Sequence, residues 1–217
     1  MLLMDYPRRL STDIDIVVEP EVDLEKYLGR AAKVFPFKEI EEQKRIRKNN
    51  IEKRHFKFFY DSPVNGRSSY ILLDVLFERN HYSELVQKEI QNELLLSKPE
   101  YLKATLPSPN CILADKLTAF APHTTGVPLN IGKDMEVAKQ FYDVSSLLDV
   151  FTDFKQVSST YEDIVQMEID YQGIECNRED CLWDTFDSAL CIASRGKEGK
   201  EEYPTYLKGI RELRGHV

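Results

Sequence analysis

Ser11-Thr12-Asp13-Ile14-Asp15-Ile16-Val17-Val18 is the stretch on which the reading of this chain turns. Its β-branched run favours an extended strand. On a strand, alternate side chains share a face, so Asp13 and Asp15 point the same way, roughly 6–7 Å apart, and Ile14 and Ile16 turn toward a core on the other side. Two carboxylates on one face repel each other unless something positive lies between them. Mg²⁺ meets that need, as a hard cation bound by one or two carboxylates together with substrate phosphates. The alternative is a solvated strand end with two exposed acids.

A second segment bears on that choice. Tyr70-Ile71-Leu72-Leu73-Asp74-Val75-Leu76-Phe77 is a strand-like apolar run with one acid in its middle. A buried, unpaired carboxylate costs several kcal/mol or neutralises itself, so Asp74 needs a partner. A metal shared with Asp13 and Asp15 would supply one, and so would a nearby Lys or Arg. Two acids on one strand and a third on a later strand form a carboxylate set suited to two-metal nucleotidyl transfer.

Around these segments the first half reads as α/β. Ile14–Glu19 is expected as a strand ended by Pro20, followed by a helix capped by Asp23 and running to about Val34. Ile51–Asp61 alternates Phe56, Phe58 and Tyr60 against Lys53, His55, Lys57 and Phe59, the pattern of a half-buried strand. The turn signal Asp61-Ser62-Pro63-Val64-Asn65-Gly66 makes it a hairpin with the Asp74 strand, the acid lying on the inner strand. Pro99, Pro107 and Pro109 mark a transition, beyond which the chain turns helical. Asn110 is expected to cap Cys111–Phe120, and further helices are expected over Lys133–Phe151, Val157–Tyr171, Arg178–Arg195 and Pro204–Arg214. The expected architecture is α+β: a mixed-sheet core over residues 1–107 and a helical bundle over residues 108–217.

The 217 residues, 42% apolar and 30% charged, suit one domain with an appendage or two small domains. No window reaches roughly 18 uninterrupted apolar residues. The N-terminal apolar run is too short for a signal peptide, and its charges follow it. A cytoplasmic protein without a membrane partner is expected. Cys111, Cys176, Cys181 and Cys191 lack CxxC or zinc-ligand spacing and read as buried small hydrophobes. The formal net charge of −8 argues against a wholly electrostatic nucleic-acid binder. The charge is uneven, however: between Lys44 and Lys57 seven basic residues face the single acid Glu52. That strip, and Lys44, Arg45, Arg47 and Lys48 in particular, is either a solvated hairpin tip or an RNA contact.

The second half holds three polar motifs. Leu113-Ala114-Asp115-Lys116-Leu117-Thr118-Ala119 carries Lys116, which is either a triphosphate contact or half of a surface charge pair. Lys139 and Asp143 stand at i,i+4, the spacing of a helical salt bridge. His123, in the polar turn Pro122–Pro128, is a ligand contact or a capping residue.

Taken together, Arg9-Leu10-Ser11-Thr12-Asp13-Ile14-Asp15, the strand acid Asp74, the Ala114-x-Lys116-Leu117-x-Ala119 helix and Lys139-x-x-x-Asp143 occur in an order that resembles the AbiEii/AbiGii-type nucleotidyltransferases. These are relatives of the polymerase-β nucleotidyltransferase fold, and many act as toxins of toxin–antitoxin systems. The resemblance covers about residues 8 to 150. It implies Mg²⁺- or Mn²⁺-dependent transfer of an NMP from an NTP to an acceptor, tRNA or a protein, with an antitoxin as partner. It also implies roles: Asp13, Asp15 and Asp74 hold the metals, Asp74 activates the attacking hydroxyl, Ser11, Lys116 and Lys139 contact the nucleotide, and Asp143 completes the later motif. Lys116 and Asp143 are expected to line the same groove as the carboxylates. The family pattern also has a Gly-Gly-Ser/Thr turn ahead of the DxD. The first glycine here is Gly29, so that turn is expected upstream of Met1 or to have been lost. Two rivals remain: a small-molecule nucleotidyltransferase of the aminoglycoside-modifying kind, with an acidic acceptor pocket around Glu162, Asp163, Glu168 and Asp170, and a catalytically inactive nucleotidyltransferase-fold binding module.

Overall fold

The computed structural model describes residues 1, 3–5, 7–11, 13–31, 33–43 and 52–217. The chain divides into two compact units, Ser11–Asn80 and the combination of Met1–Leu10 with His81–Val217.

The Ser11–Asn80 unit is a sheet with one helix. Its elements are β1 (Asp13–Val18), α1 (Glu25–Ala31), β2 (Glu39–Gln43), β3 (Glu52–Asp61) and β4 (Ser68–Phe77), and the strand order is β1-β4-β3-β2. β1 runs parallel to β4 while β4, β3 and β2 alternate antiparallel, so the sheet is mixed. The β3–β4 hairpin expected from sequence is present, and Gly66 in its turn holds the left-handed conformation (φ 66°) that favours glycine. One face of the sheet is apolar. Phe56, Phe58 and Val75 are buried on it with Leu24 and Leu28 from the α1 segment. Arg54 fastens helix to sheet through Glu42 (2.8 Å) and Glu25 (2.6 Å), and these hydrogen bonds, Glu42 first, push its pKa further up. The apolar cluster takes in Ile16 and Val18 but not Ile14, which remains 52% exposed because β1 is the edge strand. The expected burial of Ile14 is therefore corrected.

The second unit is mainly helical: a two-stranded ribbon of β5 (Leu85–Glu89) and β6 (Lys103–Pro107), then α2 (Pro109–Ala119), α3 (Asp134–Leu148), α4 (Phe154–Gln172), α5 (Arg178–Ala193) and α6 (Tyr203–Leu213). Its core gathers Leu113, Val137, Leu147, Val165 and Tyr206, with Met1 and Met4 packed against it. The cap of α2 is Ser108, whose hydroxyl accepts from the Cys111 N–H, and Pro109 fills the first turn where its missing N–H costs nothing. Asn110, expected as that cap, is instead buried and accepts from the Thr152 N–H (2.9 Å) while donating to Gln156 (2.6 Å).

The α+β class holds, but the structural division falls elsewhere than at 107/108. Residues 81–107 go with the helices, because Ser83 hydrogen-bonds Thr160 (2.8 Å), Gln156 donates to Glu84 (3.0 Å) and the Ser108 N–H donates to the Glu84 carbonyl. The proline cluster marks a change of secondary structure and not a change of core. Among the described residues no helix is long and apolar enough to cross a membrane.

Candidate active site

Strand register assembles the acids of the sheet unit. Asp15 lies directly opposite Asp74 across the parallel β1–β4 pair, and Asp13 lies two residues earlier on the same face. The next strand continues this row: His55 on β3 lies opposite Asp74, and His55 Nδ1 and Asp74 Oδ1 share a 2.8 Å hydrogen bond. Asp74 thus has a partner, but neither the Lys nor the Arg expected as the structural alternative. His55 is buried, and the Asp74 side chain keeps 36% of its surface exposed. Among the described residues no three His, Cys, Asp or Glu side chains are gathered tightly enough to hold an ion. The acids share a face of the sheet. Their donor set is oxygen only, the type preferred by Mg²⁺ and Mn²⁺. Ser11, immediately ahead of β1, uses its hydroxyl on the backbone of Asp13, accepting from its N–H (3.4 Å) and donating to its carbonyl (3.2 Å).

The basic strip falls mostly on residues 44–51. Lys44, Arg45, Arg47 and Lys48 therefore lie outside the described residues. Of its remaining members, Arg54 is held by Glu25 and Glu42, and Lys57 sits over the Tyr70 ring (4.5 Å).

In the helical unit the centre is Asp143. Its carboxylate is completely buried and receives a two-pronged hydrogen bond from Arg9, Nε to Oδ1 and the terminal nitrogen to Oδ2, each 2.7 Å. Such a fork is among the strongest side-chain pairings. Lys116 approaches the same carboxylate at 3.6 Å and donates to Gln140 (3.1 Å). The structure thus brings Lys116 and Asp143 together and adds Arg9. Arg9 stands in the leading motif of the sequence without an expected role, and its contact spans 134 positions of chain. Asp143, fully buried, orients these two cations. Lys139 pairs with Glu136 (2.9 Å) one turn back, so the expected Lys139–Asp143 bridge does not form. The segment ahead of β1 is fastened further by Arg8 to Asp149 (2.8 Å) and by the Tyr142 hydroxyl donating to the Arg8 carbonyl (3.1 Å).

His123 has a structural role. Its Nδ1 pairs with Asp184 (2.6 Å) and its Nε2 with Glu202 (2.7 Å), while its own N–H and the Thr124 hydroxyl also donate to Asp184. Burial works against charging this ring, but the two carboxylates prevail and raise its pKa. Of the acids expected to form an acceptor pocket, Glu162, Asp163 and Asp170 border an open groove of about 370 Å³ together with Arg178, which pairs with Glu162 (3.8 Å), while Glu168 does not line it. All four cysteines are free; Cys111, Cys181 and Cys191 are buried, and Cys176, pushed up to about 11 chiefly by desolvation, lies 3.7 Å from Cys181.

A mixed sheet with three acids on one face, followed in the chain by a helical unit with a buried Arg–Asp–Lys cluster, defines an α+β protein with a candidate carboxylate site. The chain belongs to the nucleotidyl transferase AbiEii toxin family of type IV toxin–antitoxin systems, whose family model matches residues 1–212. No curated protein matches it. Among solved structures, JHP933 from Helicobacter pylori is 14% identical, over 89% of this chain and 81% of that one, with a TM-score of 0.43.

Proposed function

We propose that this chain transfers a nucleoside monophosphate from an NTP to an acceptor hydroxyl, releasing pyrophosphate, as the toxin of a toxin–antitoxin pair in the cytoplasm. The observation that carries this reading is the register that sets Asp15 beside Asp74, with Asp13 on the same face, in a member of a nucleotidyl transferase toxin family. Asp13, Asp15 and Asp74 would hold Mg²⁺ or Mn²⁺, which when bound neutralises charge on the phosphates. Asp74 accepts the proton of the attacking hydroxyl. As that O–H bond breaks, the oxygen bonds the α-phosphorus and the α–β bridging bond breaks, its electron pair leaving with pyrophosphate. His55 keeps Asp74 Oδ1 engaged, which leaves Oδ2 to take that proton. Lys116 meets the negative charge of the phosphates, with Ser11 and Lys139 as further nucleotide contacts, and Asp143 positions Lys116 without touching substrate.

The acceptor we favour is tRNA, on the strength of the basic strip with Lys44, Arg45, Arg47 and Lys48. A protein acceptor is the variant of the same reading. The groove bordered by Glu162, Asp163 and Asp170, with Arg178 as a counter-charge, supports a second reading, in which the acceptor is a cationic small molecule of the aminoglycoside type. The cognate antitoxin is the partner the family implies. Incubating the chain with each labelled NTP, Mg²⁺, total RNA and cell extract tests the proposal, with an aminoglycoside in a parallel reaction. Label is expected on tRNA or on a protein and is expected to vanish in Asp13→Asn. No label from any NTP, or label indifferent to that substitution, would overturn it.

A further inference from the structure

Helix α5 is amphipathic in the wrong direction. Its buried face is small and polar, made of Cys181, Asp184, Thr185, Ser188 and Cys191. Its outer face carries the large apolar side chains: Leu182, Trp183, Phe186 and Leu190 are 44, 56, 54 and 38% exposed. The inward polar groups fix the helix in this orientation. Asp184 is held by His123 and Thr124, Thr185 donates to the Leu117 carbonyl (3.1 Å), and Ser188 accepts from the Tyr206 hydroxyl (2.9 Å). Rolling α5 to hide its aromatic face would strand those groups. A helix apolar on its outer side is normally covered, and a contiguous aromatic patch rimmed by polar residues marks an interaction surface.

We infer that this face pairs with the same face of a second copy, α5 against α5, antiparallel about a twofold axis at Phe186. The stripe is self-complementary about that point. An axis there sets Phe186 on its symmetry mate and Leu182 against Leu190 of the second copy, the isologous pattern of a twofold dimer. The charges flanking the stripe select the same direction. Exposed acids outnumber bases at its N-terminal end, Glu175, Glu179 and Asp180 against Arg178, and exposed bases outnumber acids at its C-terminal end, Arg195, Lys197 and Lys200 against Glu198. Antiparallel pairing sets acids on bases at both ends and opposes the helix dipoles favourably, whereas a parallel pair stacks acid on acid. Asp187 flanks the stripe and stays at its rim. One helix pair lies at the low end of interface size, so the dimer is weak and concentration-dependent, in the micromolar range.

Trp183 is the only tryptophan of the chain, so its emission reports directly on this surface. Sedimentation equilibrium of the full chain from low to several hundred micromolar is expected to show the mass rising from monomer toward dimer, with Trp183 emission shifting to the blue in step. Phe186→Glu is expected to stay monomeric with red-shifted emission throughout, its circular dichroism and melting unchanged. Glu179→Lys is expected to weaken association about tenfold, and adding Arg195→Glu to restore it, as the antiparallel register requires. A monomer at every concentration, a dimer indifferent to Phe186→Glu, or a charge swap that fails to restore association would overturn the inference. So would a Trp183 shift that arises only when a different protein, such as the antitoxin, is added.

Discussion

Asp74 in the sheet unit and Asp143 in the helical unit look alike in sequence, each a lone acid in an apolar segment, yet the fold treats them in opposite ways. Asp74 keeps about a third of its side chain exposed, has one neutral-capable partner in His55, and stands in a row with Asp15. Asp143 has no exposure and is enclosed by Arg9 and Lys116. An acid left partly open beside another acid is a repulsion that stability alone does not reward. A buried acid gripped by a guanidinium fork is an internal fastening. The sheet unit thus sets its acids in a row on one face, and the helical unit encloses Asp143 within its own contacts.

Substitution of the acids should separate the two units most sharply. Asp13→Asn is expected to lower nucleotidyl transfer by about a thousandfold or more, because metal-held charge stabilisation is worth several kcal/mol. Thermal unfolding should be unchanged or slightly raised, since a repelling charge is gone. A large fall in melting temperature would place Asp13 with Asp143 as a structural acid.

Asp143→Ala is expected to cost about 3–5 kcal/mol in urea unfolding, because it leaves the Arg9 guanidinium buried without its partner. Pairing it with Arg9→Met should recover most of that loss. If Asp143→Ala were no less stable than wild type, the comparison with Asp74 would fail.

Lys116→Ala sharpens the boundary between the two roles. The expected result is a tenfold or greater rise in KM for NTP with less than about 1 kcal/mol lost in stability, since Lys116 is 22% exposed and only the second cation on Asp143. Lost stability with unchanged kinetics would assign Lys116 wholly to the fastening.

The smallest effect concerns His123. Its pKa is raised in the folded chain against burial by Asp184 and Glu202, so the stability it lends is fully present below the ordinary histidine value of about 6.5. That stability is lost as pH rises through the raised value. Melting temperature followed upward from pH 6 should fall more steeply in wild type than in His123→Gln, and parallel curves would deny the ring its role as a clip between the α2–α3 loop and the later helices.

The helices of the second half were legible because apolar periodicity at 3.6 residues leaves a mark in local sequence, and their observed ends lie within a few residues of those expected. The hairpin of β3 and β4 was legible from alternation and a strong turn. β2, β5 and β6 were not, since five-residue strands of mixed polarity leave no period to read. The compact units divide away from the prolines for a related reason: prolines report where backbone hydrogen bonding changes, whereas a core is defined by which side chains meet, as Ser83 meets Thr160.

By itself the sequence determined the α+β class, the shared face of Asp13 and Asp15, and the helical placement of Lys116 and Asp143, because each follows from spacing within one element. Only the tertiary structure decided that His55 partners Asp74, that Arg9 grips Asp143 and that α5 turns its tryptophan outward. Those outcomes depend on strand register and on contacts between positions far apart in the chain, and residue spacing within one segment carries no information about either.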